Sequence, residues 1–384
     1  MKILIAPNAF KSTLGPLQAA RAIARAVGSR VPAAELKVLP VSDGGDGLLE
    51  AVLFQEGGRL ITSKIPGPVL KPVRARWLLA GRCAVIEMAE AAGLKYLKEE
   101  ERDPLNAATF GVGRLIRAAA SRGAHEITVG LGGSASNDGG AGCAAGFGFK
   151  LLDAAGNPVP RGAGGLGRLQ RIIPPPGMAA FKKVKMTGLT DVANPLCGRL
   201  GSARVYGPQK GASPAEVAII EKALLHYSAV VKRELGVEIK TMKGGAAAGG
   251  LGAGLAAFFG ARLCPGAAAM LERLGFEEAA KKTDLVITGE GRLDETSFYG
   301  KAPVAIARLA GKQKKPVVLV CGSCAVKDKN RLRESGILEV IALDELFSLK
   351  SLFARPALML ERGVGREIAK ILKFGQQQFR KPSE

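Results

Sequence analysis

Histidine is almost missing from this chain of 384 residues, which contains only His125 and His226. Zinc sites draw heavily on histidine, and a serine-histidine-aspartate triad needs one beside its nucleophile. The composition therefore argues against histidine-based zinc chemistry and against triad hydrolysis.

Aromatic residues are also scarce, at 5% of the chain with a single tryptophan. Proteins that bind single-stranded nucleic acids stack bases on aromatic side chains. The net charge of +21 attracts phosphates and carboxylates, but the basic residues are dispersed along the sequence. We therefore expect small anionic ligands and no specific nucleic acid.

Long apolar runs are absent as well. The opening MKILIAP is too short for the apolar core of a signal peptide, and the uncharged stretch 244–261 is too rich in glycine for a membrane span. The six cysteines are scattered, which favours reduced thiols, although Cys321 and Cys324 form a C-x-x-C that leaves a redox pair as the alternative. We expect a cytoplasmic protein without a membrane partner.

What is present is a repeated alternation of strand-like and helix-like segments. Apolar, β-branched runs such as KILIAP, EITVGLGG, DLVITGEG and KPVVLVCG end in proline or glycine and lie beside helical patterns. This rhythm predicts α/β layers around largely parallel sheets, and the length predicts two domains. Ligands of such sheets bind beyond the carboxyl ends of the strands.

Glycines occur together with carboxylates or amides at five of these strand ends. Glycine lets the backbone approach an anion closely, and carboxylates can hold Mg²⁺ or accept a hydroxyl proton. Taken singly, each segment reads equally well as an ordinary turn. The segments are residues 8–11, 42–47, 132–140, 190–195 and 288–294.

Known nucleotide motifs fit poorly. The Walker A pattern is missing, because the nearest string has Glu295 in place of its first glycine. Gly130-x-Gly132-x-x-Ala135, with Asp153 further on, approaches a dinucleotide fingerprint. The following SNDGGAG would weaken its helix by about 1 kcal/mol per glycine. An NAD(P)-dependent hydroxy-acid dehydrogenase stays open as an alternative.

Across nearly its whole length the chain resembles the type I glycerate kinase family. The resemblance rests on segments that follow one another in the family's order. They are APNAFKSTL, DGGDG, IEMAEAAGL, DPLNAATFGVG, GLGGSASNDGGAG, TDVANPLCG, GPQKGA, AAAGGLGAGL and TGEGRLDETSFYGKAP.

The resemblance implies phosphorylation of D-glycerate by ATP with Mg²⁺, and leaves open whether 2-phosphoglycerate or 3-phosphoglycerate forms. It also implies two α/β domains. A discontinuous flavodoxin-like, parallel-sheet domain comprises 1–79 plus 282–384, and a restriction-endonuclease-like α/β domain, 80–281, is inserted into it. The active site is expected in the cleft between them, and the oligomeric state is left open.

Within this resemblance we assign catalytic roles to Asp191, as the base for the substrate hydroxyl, and to Lys11, which would bind an anion. Asp43 and Asp46 are expected on the metal side. Each assignment has a structural alternative. Asp191 could cap a turn, Asp43 and Asp46 could be ordinary turn carboxylates, and Lys11 could be an exposed lysine. Expected to bind substrate or phosphate are Asn8, Gly132, Gly133, Ser134, Asn137, Asp138, Lys210, Glu290, Arg292, Asp294 and Lys301.

Two loops depart from the family pattern. Asn8-Ala9 stands where aspartate-serine is common, and Glu295 stands where glutamine is common. The first change leaves a second alternative open, a non-catalytic protein that binds sugar acids or nucleic acid.

Overall fold

The structure is a computed structural model. It describes residues 1–10 and 13–379, with side chains as far as residue 371.

The strands of the described residues are β1 (Lys2–Ile5), β2 (Glu35–Val38), β3 (Arg59–Pro66), β4 (Pro72–Ala80), β5 (Cys83–Glu87), β6 (Glu126–Gly130), β7 (Lys150–Leu152), β8 (Arg171–Ile173), β9 (Lys185–Leu189), β10 (Arg262–Cys264), β11 (Leu285–Leu293), β12 (Val317–Cys324) and β13 (Ile337–Ala342). The helices are α1 (Pro16–Arg30), α2 (Leu48–Glu56), α3 (Ala89–Ala92), α4 (Phe110–Ser121), α5 (Ala141–Phe147), α6 (Met178–Phe181), α7 (Ser202–Tyr206), α8 (Pro214–Leu235), α9 (Leu251–Phe259), α10 (Gly266–Arg273), α11 (Phe276–Lys281), α12 (Ala302–Lys312), α13 (Lys329–Glu334), α14 (Leu349–Ala354) and α15 (Pro356–Phe379).

These elements form two compact units. The first unit takes in the described residues of 1–43, 50–55 and 267–379, and the second unit takes in 44–49 and 56–266.

The first unit is built on a five-stranded parallel sheet in the order β2-β1-β11-β12-β13. Counted along this unit alone, the order is 2-1-3-4-5, which is the flavodoxin-like arrangement. The predicted flavodoxin-like α/β fold is therefore confirmed. Parallel strands buried on both faces read as continuous apolar runs, and Val317–Cys321 follows that rule with every side chain buried.

One face of this sheet is covered by α1 packed beside α15. Helix α1 begins with Pro16 at its first turn, where a missing N–H costs nothing, and buries Ile23 and Val27 against the sheet core. Each such side chain contributes about 1.5–3 kcal/mol through its burial.

The second unit contains a six-stranded mixed sheet in the order β3-β4-β5-β6-β9-β10, together with the hairpin β7-β8. The β3-β4 and β4-β5 pairs are antiparallel, whereas the pairs from β5 through β10 are parallel. Its core includes the fully buried Trp77 and Tyr227. The predicted likeness of this unit to restriction endonucleases stays a prediction.

The domain boundaries drawn from the sequence need correction. The sequence predicts that the first domain extends to residue 79, but β4 pairs with β5, so the β3-β4 hairpin extends the sheet of the second unit. Residues 267–281 belong to the first unit instead of the insertion. An amphipathic hairpin pattern does not specify which sheet edge completes its hydrogen bonds, because either edge satisfies the same backbone groups.

Candidate active site

In the first unit, Asn8 lies just beyond β1 and is anchored to β11. Its backbone N–H donates to the carbonyl of Gly289 at 2.8 Å. Its side-chain amide donates to Oδ2 of Asp43 at 2.9 Å, and its Oδ1 accepts from the N–H of Ala9. Asn8 therefore orients the Asp43 carboxylate at the carboxyl edge of the sheet, a role that an aspartate at this position would fill poorly because like charges repel.

Glu290 of β11 is a buried carboxyl at this edge whose pKa is raised well above its usual value. It is 6% exposed, and its Oε1 is buried without a hydrogen-bond partner among the described residues. Burial raises its pKa to about 7, while a hydrogen bond from Ser297 and the charge of Lys301 oppose the rise and Asp43 adds to it. A buried carboxyl poised near neutrality marks a candidate functional group.

The charged side chains of the turn after β11 interact mainly with one another and with the turn itself. Asp294 caps the 3₁₀ turn Glu295–Tyr299 by accepting from the N–H and hydroxyl of Thr296, which lowers its pKa. Arg292 and Lys301 each lie 3.6 Å from the Asp294 carboxylate.

In the second unit, the glycine loop, residues 131–140, follows β6. Gly133, Gly139 and Gly140 have positive φ angles of 70°, 62° and 77°. A Cβ on Gly132 would stand 2.7 Å from the Cα of Gly45, so these two backbone segments touch. Glycine adopts these φ angles at no steric cost, and its missing Cβ permits this close approach.

The base of the glycine loop is fixed by Asp138, which is fully buried. Its carboxylate accepts from the N–H of Thr109 at 2.7 Å and from the Thr109 hydroxyl, and also from the N–H groups of Gly140 and Gly142 at 3.1 Å. Burial raises its pKa, and these hydrogen bonds act against the rise. The structure thus gives Asp138 a role in holding the loop, and its predicted contact with the ligand stays a prediction.

Lys210 also lies beneath this loop, at 2% exposure. Its ammonium donates to the Ser134 hydroxyl at 2.8 Å and to the Ser136 carbonyl at 2.6 Å. Burial lowers its pKa to about 7, and the charge of Asp138 resists that change. Lys210 therefore supports the loop, and its predicted phosphate contact stays a prediction.

Two neighbouring side chains in the loop are left without partners. The Ser136 hydroxyl and both polar atoms of the Asn137 amide are buried and lack hydrogen bonds among the described residues. Buried polar groups are usually satisfied by protein, water or ligand. A water or ligand atom is therefore expected beside Asn137.

Asp46 and Glu87 approach the same loop from other segments. Glu87, at the end of β5, accepts from the N–H of Leu49 at 2.8 Å, and burial raises its pKa to about 7. The carboxylate of Asp46 adds to that rise, and its Oδ1 would lie 3.8 Å from a Cβ placed on Gly133. Glu90 is committed elsewhere, to Arg76 and Lys95.

Asp191 follows β9 at the carboxyl edge of the same sheet. It is half-buried, and its Oδ1 accepts from the N–H of Gly266 at 3.0 Å, where α10 begins. The carboxylate is thus held in position by a backbone N–H at the start of a helix.

Comparison with known proteins identifies the family. A model described as the glycerate kinase family matches residues 3–373. The chain belongs to the glycerate kinase family. A glycerate kinase of Bacillus subtilis is 38% identical over 388 residues, covering 99% of this chain and all of the relative. A glycerate 2-kinase of Escherichia coli is 40% identical over 351 residues, covering 91% and 90% of the two chains.

A solved structure agrees with this assignment. The crystal structure of a candidate glycerate kinase 2 from Salmonella typhimurium LT2 aligns with a TM-score of 0.83 at 36% identity, covering 98% of this chain and 99% of that one. The family predicted from the sequence segments is confirmed, and with it the class of the enzyme, a phosphotransferase.

For this glycerate kinase family member, the dinucleotide alternative loses its structural basis. The helix after β6 begins only at Ala141, beyond the fingerprint glycines. Asp153 accepts from the N–H groups of Ala155 and Asn157 in a turn and pairs with Arg168. The predicted ribose-binding carboxylate is therefore a turn residue.

The remaining sequence predictions have mixed outcomes. Lys11 lies outside the described residues. Glu295, the second departure from the family pattern, forms an exposed ion pair with Arg331. Thr109 and Ser297 were missed as supports of Asp138 and Glu290. Nothing in their local sequence signals these contacts, since Thr109 lies 29 residues away from Asp138.

Proposed function

We propose that this protein transfers the γ-phosphoryl group of ATP to a hydroxyl of D-glycerate. The main support is that proteins named as glycerate kinases match almost the whole chain. In the reaction an oxygen–phosphorus bond forms at the glycerate hydroxyl while the bond from the γ-phosphorus to the bridging oxygen breaks. ADP leaves with that electron pair.

We assign the hydroxyl proton to Asp191. Phosphoryl transfer depends mainly on alignment and charge neutralisation, and a positioned carboxylate can accept the proton as the new bond forms. The hydrogen bond from Gly266 holds one oxygen of Asp191 in place. Lys11, the N–H groups of the glycine loop, Arg292 and Lys301 are proposed to neutralise phosphate or carboxylate charge.

The residues present fit Mg²⁺ bound mainly through ATP. Among the described residues no group of three or more histidine, cysteine, aspartate and glutamate side chains could hold a metal. Mg²⁺ commonly keeps several waters and takes one or two carboxylates plus phosphate oxygens. Asp43, already oriented by Asn8, and the exposed Asp46 are suited to that limited contribution. Bound Mg²⁺ would neutralise charge on the transferred group.

We also expect the protein to act in the cytoplasm. Cys143, Cys197 and Cys321 are buried thiols without disulfides, which suits a reducing compartment. Among the described residues, no helix combines the length and apolarity needed to cross a bilayer.

Incubation with ATP, Mg²⁺ and D-glycerate, followed by phosphorus NMR, tests the proposal. A new phosphomonoester resonance coupled to one carbon-bound proton would indicate the 2-phosphate, and coupling to two would indicate the 3-phosphate. ATP without glycerate is the control for hydrolysis. Absence of any phosphoglycerate would reject the activity, and NADH formation from glycerate and NAD would favour the dehydrogenase alternative.

A further inference from the structure

The first unit contains an open apolar pocket that no residue role proposed above uses. It holds about 550 Å³ of empty space, its mouth included. Its walls come from the segment after β1, the ends of β11 and β12, and the helices α14 and α15. The described residues that line it are all uncharged.

The pocket lies at the carboxyl edge of the parallel sheet, beside the candidate polar groups. Phe10 is two residues beyond Asn8, and Gly291 directly follows Glu290 in β11. In sheets of order 2-1-3-4-5 the ligand crevice lies between the first and third strands, which here are β1 and β11. A ligand bound in this crevice therefore has the pocket at the same edge of the sheet.

The rim of the pocket exposes large apolar side chains. Leu349 is 61% exposed and Phe353 is 66% exposed. They lie four residues apart on α14 and thus on one helix face, with Leu352 beside them. The inner wall is formed by the buried core residues Leu343 and Leu360.

Glycine backbone and two hydroxyl-bearing residues complete the lining. Gly291 and Gly322 line the pocket, and a Cβ on Gly322 would stand 2.5 Å from the Gly291 carbonyl oxygen, so the ends of β11 and β12 are in close contact here. Thr13 and Ser323 also line it, and the Thr13 hydroxyl donates to the Phe10 carbonyl at 2.8 Å. A lining of apolar side chains with glycine backbone and few polar groups suits a planar heteroaromatic ring.

We infer that this pocket binds the adenine ring of ATP. The inference rests on the proposed function, in which the two substrates are ATP and glycerate. Glycerate is polar and anionic throughout, and so is the triphosphate. The purine is the one flat, largely apolar group that either substrate offers to an uncharged pocket. Stacking of the purine against Phe353 and Leu349 would bury apolar surface that these side chains now expose.

Photolabelling of the full chain with 8-azido-ATP tests the site directly. The label should map to the peptide that carries residues 343–360, and it should be displaced by ATP but not by inorganic triphosphate or glycerate. Labelling confined to other peptides would overturn the inference. If the label maps here while no phosphoglycerate forms in the NMR assay, the adenine site stands and the proposed reaction fails.

A matched pair of variants provides the kinetic test. Phe353→Asp should raise the KM for ATP about tenfold or more while the KM for glycerate stays within about twofold. Phe54→Asp places the same change on another exposed phenylalanine of the first unit, 42% exposed on α2, and should alter neither constant. An unchanged KM for ATP in Phe353→Asp would overturn the inference. A change in oligomeric state without that rise would assign the rim to a second copy of the chain instead.

Discussion

The ammonium of Lys210 donates a 2.8 Å hydrogen bond to the hydroxyl of Ser134 inside the second unit. Both side chains are buried, and Ser134 belongs to the glycine loop. Because the lysine is paired with neutral oxygens, burial lowers its pKa from 10.5 to about 7. A lysine that titrates near neutral pH therefore hydrogen-bonds to the loop that we propose binds phosphate.

Lys210 should therefore make stability depend on pH. Between pH 7 and pH 10.5 the unfolded chain binds a proton that folded Lys210 does not, so the free energy of unfolding rises with pH in this window. Relative to Lys210→Met, the wild type should gain stability from pH 7 to pH 10, as measured by urea unfolding. Lys222→Met, an exposed change on α8, serves as the control. A constant difference across the window would contradict the assignment.

Glu290 should make the free energy of unfolding fall as pH rises, opposite to the effect of Lys210. Its pKa is raised from 4.5 to about 7, so the folded state holds a proton that the unfolded chain has lost between these values, and stability falls as pH rises. Glu290→Gln should be more stable than the wild type at pH 8, with the gain fading towards pH 4.5. Thermal unfolding across this range measures it, with the exposed Glu272→Gln as control. An equal gain at every pH would exclude titration of Glu290 as the cause.

Asp191→Asn tests the proposed base. The amide retains an oxygen for the Gly266 N–H but cannot take a proton, so kcat should fall about 10²–10⁴-fold while the KM for ATP changes little. A coupled assay for ADP gives both constants. Asp284→Asn, at the opposite end of β11 where its carboxylate binds the N–H of Lys2, is the matched control. Full turnover in Asp191→Asn would reassign the carboxylate to capping alone.

Thr109→Val tests the anchoring of the glycine loop. The change removes a hydroxyl that donates to Asp138 and accepts from the N–H of Cys143, leaving buried groups unpaired. Unfolding free energy should fall by about 1–3 kcal/mol. The exposed Thr62→Val in β3 should change it by no more than about 0.5 kcal/mol. Equal losses in the two variants would show that the hydroxyl contributes nothing specific.

The C-x-x-C sequence at the end of β12 should contain one reactive thiol. A hydrogen bond from Cys321 lowers the pKa of Cys324 to about 6, and the pKa of the buried Cys321 is raised. Iodoacetamide at pH 7 should therefore label Cys324 first, and Cys321→Ala should slow that labelling because the donor is lost. Mass spectrometry of the peptide measures both rates. Preferential labelling of Cys321 would reverse the assignment.

Local sequence signals were sufficient for several of the strands. Apolar β-branched runs closed by glycine predicted β6, β11 and β12 because strand burial and the glycine-requiring turn are properties of neighbouring residues. The order of loop segments also predicted the family. The same signals could not place the β3-β4 hairpin, whose sheet is decided by pairing with β5.

What the sequence determined by itself is the alternation of strands and helices, the polar strand ends and the kinase family. The tertiary structure alone decided which polar residues are used internally and which can meet a ligand. Asp138 and Asp191 both lie in glycine-containing segments after strands. Asp138 is buried and hydrogen-bonded to Thr109, whereas Asp191 is half-buried. The reason is physical, since burial and hydrogen bonding depend on residues far away along the chain.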